Sequence, residues 1–229
     1  MGSGNNDQKR EEALNMKLIK PDIEIIDMKD YEQIIKKIEK IGRVCYKSED
    51  RIKEDSAERF ISNLLKRGHE SVIEHESVTV RIVCDRGITH EIVRHRIASY
   101  SQESTRYCNY TGDKFGNEIT VIDLASGFAY NLDDENDAKK YEVWKQAMEN
   151  AEQSYFKMLE LGATPQEARS VLPNSLKTEI VITMNLRSWR NFFRLRCDHH
   201  AHPQMREIAN IALQVFQEKL PIFFEDFTA

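Results

Sequence analysis

Segments with the periodicity of a strand alternate along this chain with segments that have the periodicity of a helix. Between residues 77 and 84, apolar Val78, Val80 and Ile82 alternate with other side chains, which is typical of a strand with one buried face. Residues 31–41 instead place apolar side chains at the spacing of one helix face. Because the two kinds of segment interleave, the sequence predicts an α+β, or mixed α/β, fold with a central sheet flanked by helices.

Further strands and helices follow from the same patterns. Strands are expected at residues 22–28, around 118–122 and, as a buried strand, at 178–184. Helices are expected at residues 31–41, 57–67, 88–94, 135–161, 187–196 and 203–219. We expect Gly42, Gly68 and Gly162 to end three of these helices, residues 85–87 to form a turn, and residues 164–167 to form a capping box with proline at the first helical position.

Length and composition favour one soluble domain. With 229 residues and 40% hydrophobic content, residues 16–229 can build a single large core. Residues 1–15 are polar and open with a glycine and serine stretch, so we expect a cloning remnant or a disordered tail, with Met16 as the natural start. No segment approaches the roughly 18 apolar residues of a membrane span. The 4 cysteines are scattered, which predicts free thiols and a cytoplasmic location.

One stretch of the chain has the composition of an anion-binding loop. Residues 94–107 contain three arginines, one histidine, three serines and two tyrosines, and no lysine. The guanidinium group offers a rigid fork of donors that meets a phosphate in two parallel hydrogen bonds, whereas lysine acts as a mobile point charge. The stretch follows a predicted helix, so we expect a loop that recognises anions with directional hydrogen bonds.

A second arginine cluster follows the strand predicted at 178–184, in a region without lysine from residue 178 to 218. Arginines at helix ends often form surface salt bridges that contribute little stability. The first cluster, however, has only Glu91 and Glu103 as nearby acidic residues, which favours an anion site. The two clusters would also suit a non-catalytic RNA or nucleotide-binding module. The net charge of −5 counts against that alternative, so no nucleic-acid partner is expected.

Two catalytic alternatives deserve comparison with anion binding. Cys197, His199, His200 and His202 could hold the zinc ion of a hydrolase, although flanking arginines would repel a dication and no second Cys/His pair stands at structural-site spacing. The histidines and glutamates of residues 69–75 form a weaker metal motif, and we expect no metal. Ser104 could act as a nucleophile with a histidine base, but its arginine neighbours favour a role as a hydrogen-bond donor.

The arginine loop also resembles a family signature. Arg94-His95-Arg96, followed by seven residues and Ser104, is similar to the signature of flavin-dependent thymidylate synthases. The resemblance extends from about residue 43 to the C-terminal helix. It includes Gly68-His69-Glu70-Ser71 with Glu74-His75, then Arg169 with Leu172-Pro173, and then Asn185-Leu186-Arg187 with Asn191 and Leu195-Arg196.

The resemblance implies a reaction and a set of small-molecule partners. In this family 5,10-methylenetetrahydrofolate donates a carbon to C5 of dUMP, reduced FAD supplies the hydride, and NADPH reduces the flavin again. No cysteine nucleophile is used. The family also implies a homotetramer whose binding sites are assembled from several subunits.

The resemblance further implies roles for individual residues. FAD would be contacted by Ser71, Arg94, His95, Arg96, Gln102, Asn185, Arg187 and Asn191. The substrate dUMP would be held by Glu91, Arg94, Gln102, Ser104, Thr105, Arg106, Arg169 and Arg196. Arg196 would be the catalytic residue, because the family's arginine lies against the uracil ring and favours ionisation at N3. Three positions depart from the commoner pattern: Glu91 stands where glutamine is frequent, and His202 and Gln204 replace a glutamine and a glutamate.

Overall fold

The computed structural model describes residues 16–111 and 116–227. The predicted tail, residues 1–15, lies outside the described residues. The strands are β1 (Lys17–Ile19), β2 (Asp22–Asp27), β3 (Ser77–Asp85), β4 (Ser99–Gln102), β5 (Thr120–Ile122) and β6 (Lys177–Asn185). The helices are α1 (Tyr31–Tyr46), α2 (Ala57–Lys66), α3 (Arg86–Ile92), α4 (Leu124–Gly127), α5 (Glu135–Glu160), α6 (Pro165–Ala168), α7 (Leu186–Arg196), α8 (Pro203–Lys219) and α9 (Pro221–Phe224).

The main sheet has the strand order β2-β3-β6-β4, and each neighbouring pair is antiparallel. β3 and β6 pair along their whole length, from Ser77 opposite Asn185 to Asp85 opposite Lys177. A second, two-stranded sheet joins β1 and β5 in parallel. Sheets and helices therefore combine in the α+β fold that the sequence predicts.

One face of the main sheet forms the principal core. Every second side chain is buried along β6 and along the first six residues of β3, including Val80, Ile82 and Ile182, and the last four residues of β3 are all buried. The aromatic residues of α7 pack on this face, and Trp189 also donates its indole N–H to a carbonyl oxygen of β3 at 3.1 Å. Burial of several fully covered aromatic side chains anchors α7 to the sheet, since each such side chain removes a large apolar area from water.

The opposite face of the main sheet is polar. The hydroxyl groups of Thr79 and Thr183 lie 2.9 Å apart across β3 and β6, and the guanidinium of Arg81 bonds the carboxylate of Glu179 at 2.8 Å. Residues 178–184 therefore form a strand that buries one face only. The strand predicted here is confirmed in its position. The prediction that the whole strand is buried is wrong, because its second face is only partly covered.

Most predicted elements are confirmed, and the boundaries differ at a few positions. The capping box forms, because the Thr164 hydroxyl accepts the N–H of Glu167 while the Glu167 carboxylate accepts the N–H of Thr164 at 2.7 Å. Helix α1 does not end at Gly42 but continues to Tyr46. The turn predicted at 85–87 is instead the start of α3.

Part of the predicted arginine loop is a strand. β4 pairs with residues 180–183 of β6, although the sequence of β4 has only Tyr100 as a large apolar residue. Backbone pairing with an existing strand supplies the stabilisation that side-chain patterning does not show. Residues 99–102 are thereby fixed in the sheet edge. Within the described ranges, no helix has both the length and the apolar composition needed to cross a membrane.

Gly42 provides a test of the packing between α1 and α2. A Cβ at this position would lie 2.6 Å from Cε1 of Phe60 and 3.3 Å from Cδ1 of Leu64. We therefore expect Gly42→Val to lower the free energy of unfolding by about 1–3 kcal/mol, as is typical of overpacking. Urea denaturation measures this change. The exposed Lys40→Val serves as the control on the same helix, and equal stability of the two variants would contradict the packing described here.

Candidate functional site

Two helices of the site begin directly where strands end. Asp85 closes β3, and its carboxylate accepts the N–H of Ile88 at 2.8 Å, which starts α3. Asn185 closes β6, and its side-chain oxygen accepts the N–H of Ser188 at 2.8 Å, which starts α7. Such caps satisfy backbone N–H groups that have no partner inside the helix. Because β3 and β6 are antiparallel, the two helix starts lie at opposite ends of the strand pair.

The start of α7 lies beside the segment that leads into β3. The N–H of Leu186 donates to the carbonyl oxygen of Glu76 at 2.9 Å, and a short 3-10 helix, Glu70–His75, precedes that residue. The Glu74 carboxylate accepts a hydrogen bond from the guanidinium of Arg187. The full pairing of β3 with β6 thus brings two segments more than 100 residues apart into contact at one sheet end.

A cavity of about 340 Å³ opens at this place, and we call it the α7 cavity. Its volume falls within the range of small-molecule sites. Four of its lining residues are predicted FAD contacts: Arg96, Asn185, Arg187 and Asn191. Five further lining residues were not assigned from the sequence: Glu70, Glu74, Ile97, Ser188 and Arg194. The two arginine-rich stretches therefore share one cavity.

The charges of the α7 cavity are partly compensated. Glu70 lies 3.0 Å from the guanidinium of Arg190 and 3.6 Å from that of Arg194. Arg190 is buried and is also bonded by both carboxylate oxygens of Asp226, at 2.7 and 2.6 Å. Burial acts to raise the pKa of Asp226, but the hydrogen bonds and the positive charge of Arg190 hold that pKa below its usual value. Arg190 therefore has the structural role that salt-bridged arginines commonly have.

Arg196, at the end of α7, contacts the helix and loop that follow β3. Its Nη1 donates to the carboxylate of Glu91 at 2.7 Å, and its Nη2 donates to the Glu91 carbonyl oxygen at 3.1 Å. Its Nε donates to Nε2 of His95 at 2.8 Å. The predicted catalytic residue is thus joined to one residue predicted for dUMP and one predicted for FAD.

His95 is held as a neutral imidazole. Its ring is buried beside Phe192, with the ring centroids 4.9 Å apart. Burial, together with the nearby guanidinium of Arg196, lowers the pKa of His95 to about 4. Because Nε2 accepts the hydrogen bond from Arg196, the ring proton belongs on Nδ1.

Most other residues predicted to hold dUMP lie at the end of β4 and in the turn that follows. Gln102 donates its amide to the hydroxyl groups of Thr89 and Thr178, at 3.2 and 3.3 Å. Thr105 is buried and lies 3.4 Å from a guanidinium nitrogen of Arg169. Ser104 and Arg106 lie in the same turn, where the N–H of Arg106 donates to the Ser104 hydroxyl at 3.3 Å. Gln102 contacts α3 through Thr89, and none of these residues lines the α7 cavity.

The structure leaves three arginines of the loop without a carboxylate partner among the described residues. Arg94 donates to the carbonyl oxygen of His90 at 3.1 Å, and Arg106 lies over the ring of Tyr107. Arg96 lines the α7 cavity. Both Arg94 and Ser71, which are predicted FAD contacts, are exposed and lie outside the lining of this cavity. Uncompensated guanidinium groups of this kind are available to an anionic ligand.

The two catalytic alternatives gain no support from these contacts. In the described part of the chain, the candidate metal ligands that come together are the exposed Asp198, His199 and His200, without Cys197 or His202. Burial raises the pKa of the Cys197 thiol to about 11, which disfavours the thiolate that binds zinc. The His95 nitrogen that could take a proton faces Arg196 instead of a serine.

The residues that sequence analysis left unassigned have recognisable signals. Glu70 and Glu74 belong to the 68–75 motif, and Arg194 shares a helix face with Arg187 and Asn191. The 68–75 motif was therefore enough to predict the two glutamates at the site, and the spacing along helix α7 was enough to predict Arg194 there.

Comparison with known proteins decides the family. Residues 25–222 match a family model described as thymidylate synthase complementing protein. The chain belongs to the flavin-dependent thymidylate synthase family. A flavin-dependent thymidylate synthase of Geobacter sulfurreducens is 33% identical over 192 residues, which cover 81% of this chain and 78% of the relative. One of Pyrococcus furiosus is 36% identical over 169 residues, covering 73% and 66%, and one of Clostridium tetani is 34% identical over 191 residues, covering 76% and 72%.

These comparisons confirm the family that the sequence motifs indicate. They also confirm that the chain belongs to a family of enzymes. The matched range includes both arginine-rich stretches, the 3-10 helix Glu70–His75 and the α7 cavity.

The neutral His95 predicts how stability depends on pH. In the unfolded chain a histidine titrates near pH 6.5, whereas in the folded protein the pKa of His95 is about 4. Below pH 6.5 the unfolded state therefore binds a proton that the folded state does not. We expect this difference to remove up to about 3 kcal/mol of stability between pH 6.5 and pH 4.

Urea denaturation between pH 4.5 and 7.5 measures this slope. His95→Asn should flatten it, while His75→Asn, at an exposed position, should keep it. An unchanged slope in His95→Asn would show that other groups cause the loss.

Proposed function

We propose that this protein is a flavin-dependent thymidylate synthase that converts dUMP to dTMP, with 5,10-methylenetetrahydrofolate as carbon donor and NADPH as the source of electrons for FAD. The observation that carries the proposal is the α7 cavity, which is lined by Arg96 of one arginine stretch and by Arg187 and Asn191 of the other. Arg196 reinforces it by joining the two stretches through Glu91 and His95.

The donor set of the α7 cavity fits a flavin dinucleotide. Arg96 and Arg187 supply guanidinium forks, and the N-terminus of α7 with Asn185 and Ser188 supplies polar groups beside a partial positive charge. Such groups suit the diphosphate of FAD. Bound FAD supplies the hydride of the reaction. A flavin dinucleotide is larger than this cavity, so residues of neighbouring subunits would cover the rest, which agrees with the homotetramer that the family resemblance implies.

The turn after β4 fits a nucleoside monophosphate. Ser104, Thr105 and Arg106 place hydroxyl and guanidinium donors in one turn, and the Thr105 hydroxyl lies beside Arg169. Gln102 is fixed by β4 and by the two hydrogen bonds that its amide nitrogen donates to threonines, so its amide oxygen has a defined direction. In our proposal Ser104 donates a hydrogen bond and does not attack, and the cysteines take no covalent part.

Arg196 is our candidate for the catalytic residue. A fixed positive charge beside the uracil ring stabilises negative charge as it develops in the pyrimidine, and so favours ionisation at N3 and an electron-rich C5. The contacts of Arg196 with Glu91 and His95 hold its guanidinium in place before substrate arrives. The neutral state of His95 avoids a second positive charge against Arg196.

Two further assignments complete the proposal. We infer that residues 16–229 act as one catalytic domain, because the matched range covers most of this segment. We also propose that the enzyme works in the cytoplasm, where free thiols are stable; the described cysteines are unpaired.

The function is tested by an absorption spectrum and an exchange assay. The purified protein should be yellow and show the bands of an oxidised flavin. With reduced FAD it should release tritium from dUMP labelled at C5. Colourless protein that takes up no FAD and releases no tritium would rule the function out.

Replacement of Arg196 separates flavin binding from catalysis. We expect Arg196→Ala to retain FAD and to lose about 100- to 1000-fold in kcat, as is typical when one donor to a developing anion is removed. Flavin content and steady-state kinetics measure both effects. Arg206→Ala is the matched control, because Arg206 bonds the carbonyl oxygen of His199 at 3.2 Å and does not line the α7 cavity. A kcat near that of the unsubstituted enzyme would remove Arg196 from the catalytic role.

A further inference from the structure

A second cavity, of about 440 Å³, lies between the C-terminal end of α1 and helix α2, and we call it the α1–α2 cavity. Four cationic side chains line it: Arg43, Lys47, Arg51 and Arg67. The acidic side chain in its lining is Asp50. In a chain with a net charge of −5, such a local excess of positive charge requires an explanation.

One of the four cations is already neutralised. The guanidinium of Arg43 bonds the buried carboxylate of Glu39 at 2.7 Å and stacks on the ring of Phe60, 4.2 Å from its centroid. Arg43 and Phe60 thus form one wall of the cavity. The side chains of the other three cations have no ion pair or hydrogen bond with any residue in the described ranges.

The usual explanation for unpaired surface cations is solvation, and two features go beyond it. First, the cations converge on a concave site whose volume is typical of small-molecule sites. Second, Ser48 lines the same cavity, is only 8% exposed, and has a hydroxyl group without a partner among the described atoms. Buried hydroxyl groups are rarely left without a partner. The amide of Asn63, also in the lining, offers further hydrogen bonds.

The segment that carries these groups has a defined backbone. Lys47 ends α1 in the left-handed conformation, with φ of 49°, and the N–H of Arg51 donates to the carbonyl oxygen of Ser48 at 3.0 Å. The turn therefore presents Lys47, Ser48 and Arg51 from neighbouring positions. Arg67 faces them from the end of α2.

The α1–α2 cavity neighbours the α7 cavity. Tyr46 lines the α1–α2 cavity, and its hydroxyl lies 2.7 Å from Nδ1 of His69. His69 directly precedes the 3-10 helix whose Glu70 and Glu74 line the α7 cavity. A ligand that spans both cavities would thus follow the path from α1 past His69.

We propose that the α1–α2 cavity binds the phosphate-bearing end of the nicotinamide dinucleotide that reduces the flavin. This inference rests on the proposed function, which requires such a substrate and leaves its binding residues open. NADPH carries a diphosphate and a 2′-phosphate, and forked guanidinium donors with a hydroxyl and an amide match these groups. Arg51 and Arg67 are the residues assigned to the phosphate, with Lys47 as an additional charge.

The test uses the holoenzyme with FAD and dUMP bound, so that both other nucleotide sites are filled. Adenosine 2′,5′-bisphosphate is the probe, and calorimetry measures its affinity. We expect Arg51→Gln and Arg67→Gln each to weaken binding by about tenfold, because each removes a charge-assisted hydrogen bond. Arg59→Gln, an exposed arginine on α2 outside the lining, is the control and should bind the probe normally.

Two further probes distinguish the source of the phosphate. AMP, which lacks the 2′-phosphate, should bind more weakly than the bisphosphate, and the two variants should raise the KM for NADPH more than the KM for NADH. If inorganic phosphate binds as tightly as the bisphosphate, or if both variants bind the probe like the control, the proposal is wrong. FAD content and tritium release from dUMP are measured in parallel on the unsubstituted enzyme. The absence of both there would count against the proposed function and not against this site alone.

Discussion

The pairing of β3 with β6 is the constraint on which the rest of the site depends. The nine-residue register from Ser77 to Asp85 fixes where each strand ends, and a helix starts at once from Asp85 and from Asn185. Every second residue of β6 and of the first six residues of β3 is buried, so a shift of one residue would expose this core face. The register of this one strand pair therefore determines where Arg187 and Arg196 of α7 lie relative to the segment that contains Glu70.

The arginines of the two clusters divide by the partners they have. Arg190 is buried among carboxylates and stabilises the attachment of the C-terminal segment. The positive charge of Arg196 is partly compensated by the carboxylate of Glu91, and its guanidinium is held in place by a hydrogen bond to His95. Arg96 and Arg106 have no carboxylate partner among the described residues and remain available to anions. Composition alone shows the excess of arginine, but only the contacts separate the arginines that are held in ion pairs from those that are not.

Sequence patterns predicted most of the fold and brought forward four of the residues that line the α7 cavity, and their failures have physical causes. Helix α1 continues past Gly42, where the missing side chain leaves room for the ring of Phe60, and this tertiary contact is not visible in the local pattern. The strand β4 has little apolar alternation, since its stability comes from pairing with β6. The contact of Arg196 with Glu91 spans 105 positions, and no local spacing reports it. The α7 cavity itself was predictable, because both of its walls carry recognisable motifs.

The contacts of Arg196 have a consequence for the energetics of recognition. Three of its five N–H groups are engaged before any ligand arrives, with His95 and with both the carboxylate and the carbonyl group of Glu91. A free arginine side chain loses roughly 2 kcal/mol of rotamer entropy when it is immobilised. Here folding has already met that cost, so the two remaining N–H groups point in a set direction. If Arg196 has the role proposed above, binding of the pyrimidine would not have to order this side chain.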